Sequence, residues 1–164
     1  MSKSKMVGMM VLIVFAMSIL LVGDALAGEK FKCRTVGYTT KFQPIDVGDE
    51  DGHVVGVWEC KGIQTNMEGK WFNNGWVDIE RGFSDVNVKT GVGSIFFYGE
   101  VTDKDGDKYY YKGEGKDFKS SRWEIVKGTG KFEGIHGGGT AKIYFPAENL
   151  FYGDAEWDIE LPRR

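Results

Sequence analysis

The most constraining feature of the sequence is a period-two alternation that recurs from one end of the chain to the other and never gives way to a helical period. Glu156-Trp157-Asp158-Ile159-Glu160-Leu161 shows it most cleanly. His53 to Cys60 shows it again, with Val54, Gly56, Trp58 and Cys60 on one side and His53, Val55, Val57 and Glu59 on the other. Alternation of this kind places successive side chains on opposite faces of a strand. Turn signals separate the segments: Asn73-Asn74-Gly75, Thr90-Gly91-Val92-Gly93 and Asp103-Lys104-Asp105-Gly106-Asp107. The predicted strands include Phe31 to Gly37, His53 to Cys60, Glu68 to Trp71, Trp76 to Phe83, Ser94 to Val101, Lys108 to Glu114, Ser121 to Lys127, Ala141 to Phe145 and Glu156 to Leu161. Thr39 to Gly52, with Pro44 and an acidic run, reads as a loop. About eight strands joined mostly by short turns must close or stack to hide their edges. The expectation is therefore an all-β, antiparallel, closed barrel of about eight strands, calycin-like. Such a barrel has an interior just filled by side chains, or open enough for one small ligand.

The first residues read as a targeting signal. Lys3 and Lys5 precede an apolar run from Met6 to Val22, and Ala25-Leu26-Ala27 is a small-residue cleavage site. This predicts a signal peptide over 1–27, a single domain over 28–164, and a periplasmic or secreted protein with no membrane attachment after cleavage. The whole chain carries a formal charge of −3. It shows no basic stripe, which argues against nucleic acid as a partner. The two cysteines, Cys33 and Cys60, are expected to form a disulfide in an oxidising compartment. It would close a loop of about 27 residues, worth roughly 3 kcal/mol in the chain-entropy model.

Gly128 to Thr140 is the chain's most unusual stretch: six of its thirteen residues are glycine. It predicts tight turns with positive φ between two strands, with Phe132 and Ile135 anchoring the loop like a plug. Gly128, Gly130, Gly134 and Gly137 are read as structural. A phosphate-loop reading fails, because Phe132 follows Lys131 where Ser or Thr is required and no helix follows.

The run from Trp123 to Thr140 resembles the signature of the allene oxide cyclase and dirigent-type barrels, matching at Gly128, Thr129, Gly130, Lys131, Phe132, Gly134, Ile135 and Gly137. Val55 to Gly62 resembles the strand that opens many small secreted bacterial members. The resemblance implies an eight-stranded antiparallel barrel with a central cavity, often in oligomers. The working residues of those families lie outside the glycine motif, so none is carried over and the catalytic residues stay unknown. Gly69 to Gly75 is similar to the opening of avidin-type barrels, but it stands too far into the chain and reads as a hairpin.

Candidate chemistry lies in the aromatic strand faces. Trp58, Trp76, Phe97, Tyr109, Tyr111, Trp123 and Trp157 fall on alternating positions and form either core or an apolar pocket with polar tips such as Tyr111 or Glu59. Glu59, Glu80 and Glu114 are the carboxylates expected among aromatics, where burial would raise their pKa. Asp103, Asp105 and Asp107 stand at calcium-loop spacing, yet Lys108 occupies the required glycine position and the flanks read as strands. The reading adopted is a plain hairpin turn whose Asp and Gly residues suit it, with turn-bound calcium as the alternative. Neither His53 nor His136 has the companions a zinc site needs. No cofactor is implied. Three functions remain open: a binding module for a small hydrophobic or aromatic ligand, a cyclase or isomerase acting in the barrel cavity, and a structural envelope protein without ligand.

Overall fold

The computed structural model describes residues 28–69 and 75–161. The expected signal peptide and the Asn73-Asn74 part of the expected hairpin lie outside those residues. Eight strands close one antiparallel barrel in sequence order, β1 pairing with both β2 and β8. They are β1 (Glu29–Asp46), β2 (His53–Glu68), β3 (Trp76–Asn87), β4 (Val92–Thr102), β5 (Lys108–Asp117), β6 (Ser120–Gly128), β7 (His136–Ala147) and β8 (Leu150–Glu160). A single 3₁₀ turn, Gly130–Phe132, interrupts the pattern.

Glu68, expected to open a strand of its own, is instead the last residue of β2, and Lys70 and Trp71 lie outside the described residues. Two further segments differ from the sequence expectation. Thr39 to Asp46 is strand rather than loop: β1 runs through it and ends at Asp46, with a register shift between Thr39 and Lys41. Its partner is the first half of β2, with Phe42 opposite Trp58 and Pro44 opposite Gly56. β8 ends its pairing at Tyr38, so the far edge of β1 beyond that point faces no strand. Proline is tolerated in a strand where an edge is unpaired. The second difference lies in the glycine stretch. Its first half turns, but Gly137 to Thr140 is the opening of β7, wedged between β6 and β8. A Cβ on Gly138 would collide with the Trp123 carbonyl, and one on Gly139 with the Glu156 carbonyl. Close strand approach, more than turning, explains these glycines.

Thr129 to Ile135 forms the plug. Phe132 and Ile135 are buried at one end of the barrel. The Phe132 ring meets Trp76 and Tyr109 edge to face, each at 5.5 Å. The three aspartates with calcium-loop spacing hold this plug. Asp103 accepts the backbone N–H groups of Asp105 (2.8 Å) and Asp107 (2.9 Å), and its carboxylate pairs with the Lys131 ammonium. Lys131 also reaches Asp105 at 3.1 Å, and its backbone N–H donates to Asp107 at 3.1 Å. The segment is a turn, with Asp103 and Asp107 bonded across it, and a lysine of the glycine motif occupies the aspartates' oxygens as a clamp. Among the described residues no group of His, Cys, Asp and Glu is arranged to hold a metal ion.

The expected disulfide is also corrected. Both cysteines are free thiols. Cys33 lies opposite Asn66 and Cys60 opposite Thr39. Six residues of strand separate the two positions, about 20 Å. A disulfide needs Cα atoms within about 7 Å. Both thiols face inward from different levels of the barrel.

The barrel interior is crowded with rings, and glycines on neighbouring strands make room for them. Gly99 on β4 lies between Glu80 on β3 and Tyr111 on β5. The Tyr111 ring crosses β4 directly over it, and a Cβ at position 99 would fall inside the ring and its hydroxyl. Gly113 makes the same space for Phe97, and Gly82 for Trp58. The outer surface is uneven. Val57, Phe83, Phe96 and Tyr98 expose an apolar strip over β2 to β4, with the Phe83 and Phe96 rings stacked at 6.0 Å. β1 and β8 instead carry ion pairs such as Arg34 with Asp154, at 2.6 and 2.8 Å.

Two stability predictions follow from this packing. Gly99→Ala forces the Tyr111 ring off β4 and is expected to cost about 1–3 kcal/mol, the usual range for overpacking. Urea unfolding reads the loss and near-ultraviolet circular dichroism the displaced ring; an unchanged midpoint would contradict the arrangement. Lys131→Met strands the buried Asp103 carboxylate and is expected to lower Tm clearly more than Lys104→Met, since Lys104 contacts only the exposed side of Asp105. Equal losses in the two variants would show that the clamp does not hold the plug.

Candidate functional site

β3 supplies the chemistry of the interior. Its inward face presents Trp76, Asp78 and Glu80 in turn, two residues apart, as strand alternation requires. Trp76 packs under the plug. Asp78 lies one step further in and is 95% removed from solvent, and Glu80 follows toward the opposite end. From β5, across Gly99, Tyr111 brings its hydroxyl to 2.9 Å from Asp78 Oδ1 and 2.6 Å from Glu80 Oε1. From β2, the Gln64 amide donates to Asp78 Oδ2 at 3.0 Å. The Tyr109 hydroxyl donates to the other end of Gln64 at 3.3 Å. The result is a continuous chain: Tyr109, Gln64, Asp78, Tyr111, Glu80.

Counting hydrogens shows that the chain holds an additional proton. A tyrosine hydroxyl carries one hydrogen and can donate it to one neighbour only. Tyr111 stands between two carboxyl oxygens, so the second contact needs a proton of its own. Gln64 gives one Asp78 oxygen a hydrogen. The additional proton sits either on Glu80, with Tyr111 donating to Asp78, or on Asp78 Oδ1, with Tyr111 donating to Glu80, and the contacts admit both. Electrostatics favours Glu80. Burial pushes the Asp78 carboxyl up to about 6, against the pull of Gln64 and Tyr111. Burial, then the charge of Asp78, pushes Glu80 up to about 8, again opposed by Tyr111. At neutral pH the pair holds one proton and one negative charge. Burial also pushes the Cys33 and Cys60 thiols up to about 12, so neither is a thiolate nucleophile.

A cavity of about 40 Å³ lies against this chain, bounded by Cys60, Asp78, Glu80, Tyr111, Trp123 and Trp157. Thr35, Ile143 and Phe151, half-buried, line it at the end away from the plug. It has the room of about three waters, enough for the head of a ligand but not for a whole aromatic molecule. The Trp123 and Trp157 rings, 4.9 Å apart, form one wall.

Of the sequence candidates, Tyr111, Trp123 and Trp157 line the cavity. Trp76 and Tyr109 belong to the packed plug end, and Phe97 and Trp58 pack against each other at 6.1 Å beyond the cavity wall. Glu59 is on the outer face, bound to Thr40 at 2.8 Å and Arg81 at 2.8 Å. Glu114 is outside too, paired with Arg122. The alternation that turns Trp58 and Cys60 inward turns Glu59 outward. The histidines are remote: His53 bridges Asp49 (2.6 Å) and Asp85 (2.7 Å) at the barrel edge, and His136 pairs with Glu160. Asp78 and Gln64 were not singled out from the sequence. The signal was present, since an inward Trp76 carries Asp78 and Glu80 to the same face.

No family model matches the chain, and no curated protein matches it. Solved structures do. One is the pterocarpan synthase dirigent protein PsPTS1, with a TM-score of 0.50 at 10% identity, covering 85% of this chain and 99% of that one. Another is the pterocarpan synthase dirigent protein GePTS1, with a TM-score of 0.48 at 11% identity, covering 84% of this chain and 91% of that one. The fold is a dirigent-like barrel. At this identity the likeness extends to the fold alone.

The acid pair makes stability depend on pH in a determined direction. Glu80 ordinarily titrates at 4.5 and is raised to about 8 in the fold. Its contribution is complete below pH 4.5 and is lost as pH rises through 8. His53 and His136, also raised, lose theirs in the same direction, so the comparison must be differential. The Tm advantage of Glu80→Gln over the parent is expected to grow from pH 5 to pH 9. An advantage that stays constant over that range would mean Glu80 is ionised throughout.

Proposed function

We propose that the protein is an exported barrel that binds a small, largely apolar molecule at the open mouth and presents one oxygen of it to the Glu80–Tyr111–Asp78 acid pair. The observation that carries this reading is the Tyr111 hydroxyl, held between two carboxyls at the wall of the interior cavity. Export rests on the signal-like residues 1–27. The cavity receives the ligand's oxygen, and the body lies in the mouth between Ile143 and Phe151. Glu80 donates its proton to a carbonyl, ether or epoxide oxygen as that oxygen gains charge. Tyr111 then turns its hydrogen from Asp78 to the new Glu80 carboxylate. Asp78, freed of that hydrogen bond, is placed to accept a proton released by the ligand. One acid and one base, separated in pKa by their surroundings, suit an isomerisation or cyclisation with no net change in protons. Trp123, Trp157, Phe151, Ile143 and Ala141 give the pocket wall a largely apolar part, which favours an apolar ligand body.

Cyclohexanone is a suitable probe, being small, apolar and equipped with one acceptor oxygen. Titration should give saturable shifts of the Trp123 and Trp157 indole N–H resonances and of the Glu80 carboxyl carbon. Ala141 lines the cavity, so Ala141→Leu, which fills it, is expected to remove the shifts while the fold persists. Absence of saturable shifts in the parent protein, or their survival in Ala141→Leu, would sink the proposal.

A further inference from the structure

We infer that Gln64 is the positioning residue that sets the direction of the internal proton chain, keeping the transferable proton on Glu80 at the cavity and the base on Asp78 behind it. Gln64 is 99% removed from solvent, and both ends of its amide are engaged. An amide can be turned either way; the Asp78 carboxylate, which only accepts, takes the amide nitrogen at 3.0 Å, and the Tyr109 hydroxyl supports that orientation by donating to Gln64 Oε1 at 3.3 Å. That nitrogen places a hydrogen on Asp78 Oδ2. Tyr111 places another on Oδ1. A hydrogen bond from an amide N–H favours the charged form of the carboxyl that accepts it, so Gln64 biases the pair toward an ionised Asp78 and a protonated Glu80.

The chain has a second arrangement with the same number of protons. If Oδ2 lost its N–H donor, the proton could leave Glu80 and settle on Asp78. Tyr111 would then turn and donate to Glu80 instead. Burial raises both carboxyls, and the polar groups facing the pair are Gln64 from β2, which meets Asp78 alone, Tyr111 from β5, which meets both, and the two carboxyls of β3 themselves. Cys60 on β2 and Cys33 on β1 stay protonated and uncharged. The single N–H from Gln64 therefore selects between two mirror states of one hydrogen-bond chain. In the reversed state the acid would lie in the deeper position, with a carboxylate facing the ligand.

This rests on the acid–base reading of the pocket but is tested without any ligand. The carboxyl carbons of Asp78 and Glu80 report protonation directly by NMR in the free protein. At pH 7 the parent should show a protonated Glu80 and an ionised Asp78. Gln64→Met keeps the volume and removes the donor; it is expected to reverse the assignment. Tyr109→Phe leaves the amide but removes the hydroxyl that supports its orientation, and is expected to narrow the gap between the two titrations. It also serves if Gln64→Met does not fold. Folded Gln64→Met with Glu80 still protonated, or a Tyr109→Phe gap equal to the parent's, overturns the inference. Failure here leaves the binding proposal standing, since cyclohexanone binding is read separately. A purely structural Gln64 would alter Tm in these variants but not the site of the proton.

Discussion

The structure depends on the contact between Gly99 and Tyr111. A closed barrel of eight strands has an interior that side chains just fill. This chain turns many rings inward, more than such a volume accepts if every position also carries a side chain. Glycine resolves the conflict one strand away from each ring. With no Cβ at position 99, Tyr111 lies flat across β4 and its hydroxyl reaches β3. The same absence that lets the core pack lets the polar chain form. Packing and chemistry are one constraint here, because a tyrosine kept on its own side of β4 would meet neither Asp78 nor Glu80.

The two ends of the barrel differ as a result. At one end Phe132, Trp76 and Tyr109 interlock edge to face under a plug that Lys131 fastens to the Asp103 turn. At the other, half-buried Ile143 and Phe151 leave a mouth. The plug has an electrostatic consequence. It keeps water from the inner side of Asp78, so the carboxyls lose most of their hydration and their pKa values rise. A plug fixed by the lysine of the glycine motif therefore contributes to the acid pair although the two do not touch.

Much of the architecture was legible in the sequence. Period-two alternation and turn residues determine strand number, antiparallel order and closure, and they locate Phe132 and Ile135 as anchors. Register was less legible. The Cys33–Cys60 bridge followed from compartment and count, yet pairing places the two residues about 20 Å apart, and only register reveals that. The aspartate turn shows the same limit. Spacing along the chain could not show that Lys131, more than twenty residues later, occupies the aspartates' oxygens. The site was half legible. Glu80 and Tyr111 could be named from their neighbours, whereas Glu59 was assigned inward against its own alternation. Gln64 carries no local signal, because its role comes from Asp78 and Tyr109, on strands other than its own.

A buried carboxyl pair is expensive for so small a fold, and the chain's polarity limits the cost. Two ionised groups this close in an apolar interior would repel and go unhydrated. One shared proton halves the charge, and Tyr111 converts the remaining repulsion into two hydrogen bonds. The remaining charge, on Asp78, is met by donors on both oxygens rather than by a cation. A paired lysine or arginine would have stabilised Asp78 further, but it would also have lowered both pKa values and emptied Glu80 of its proton. Neutral donors keep the charge tolerable while leaving the acid protonated at neutral pH. The choice of an amide and a phenol, which leave the acid protonated where a cation would ionise it, is the strongest physical reason to read this interior as a site rather than as core.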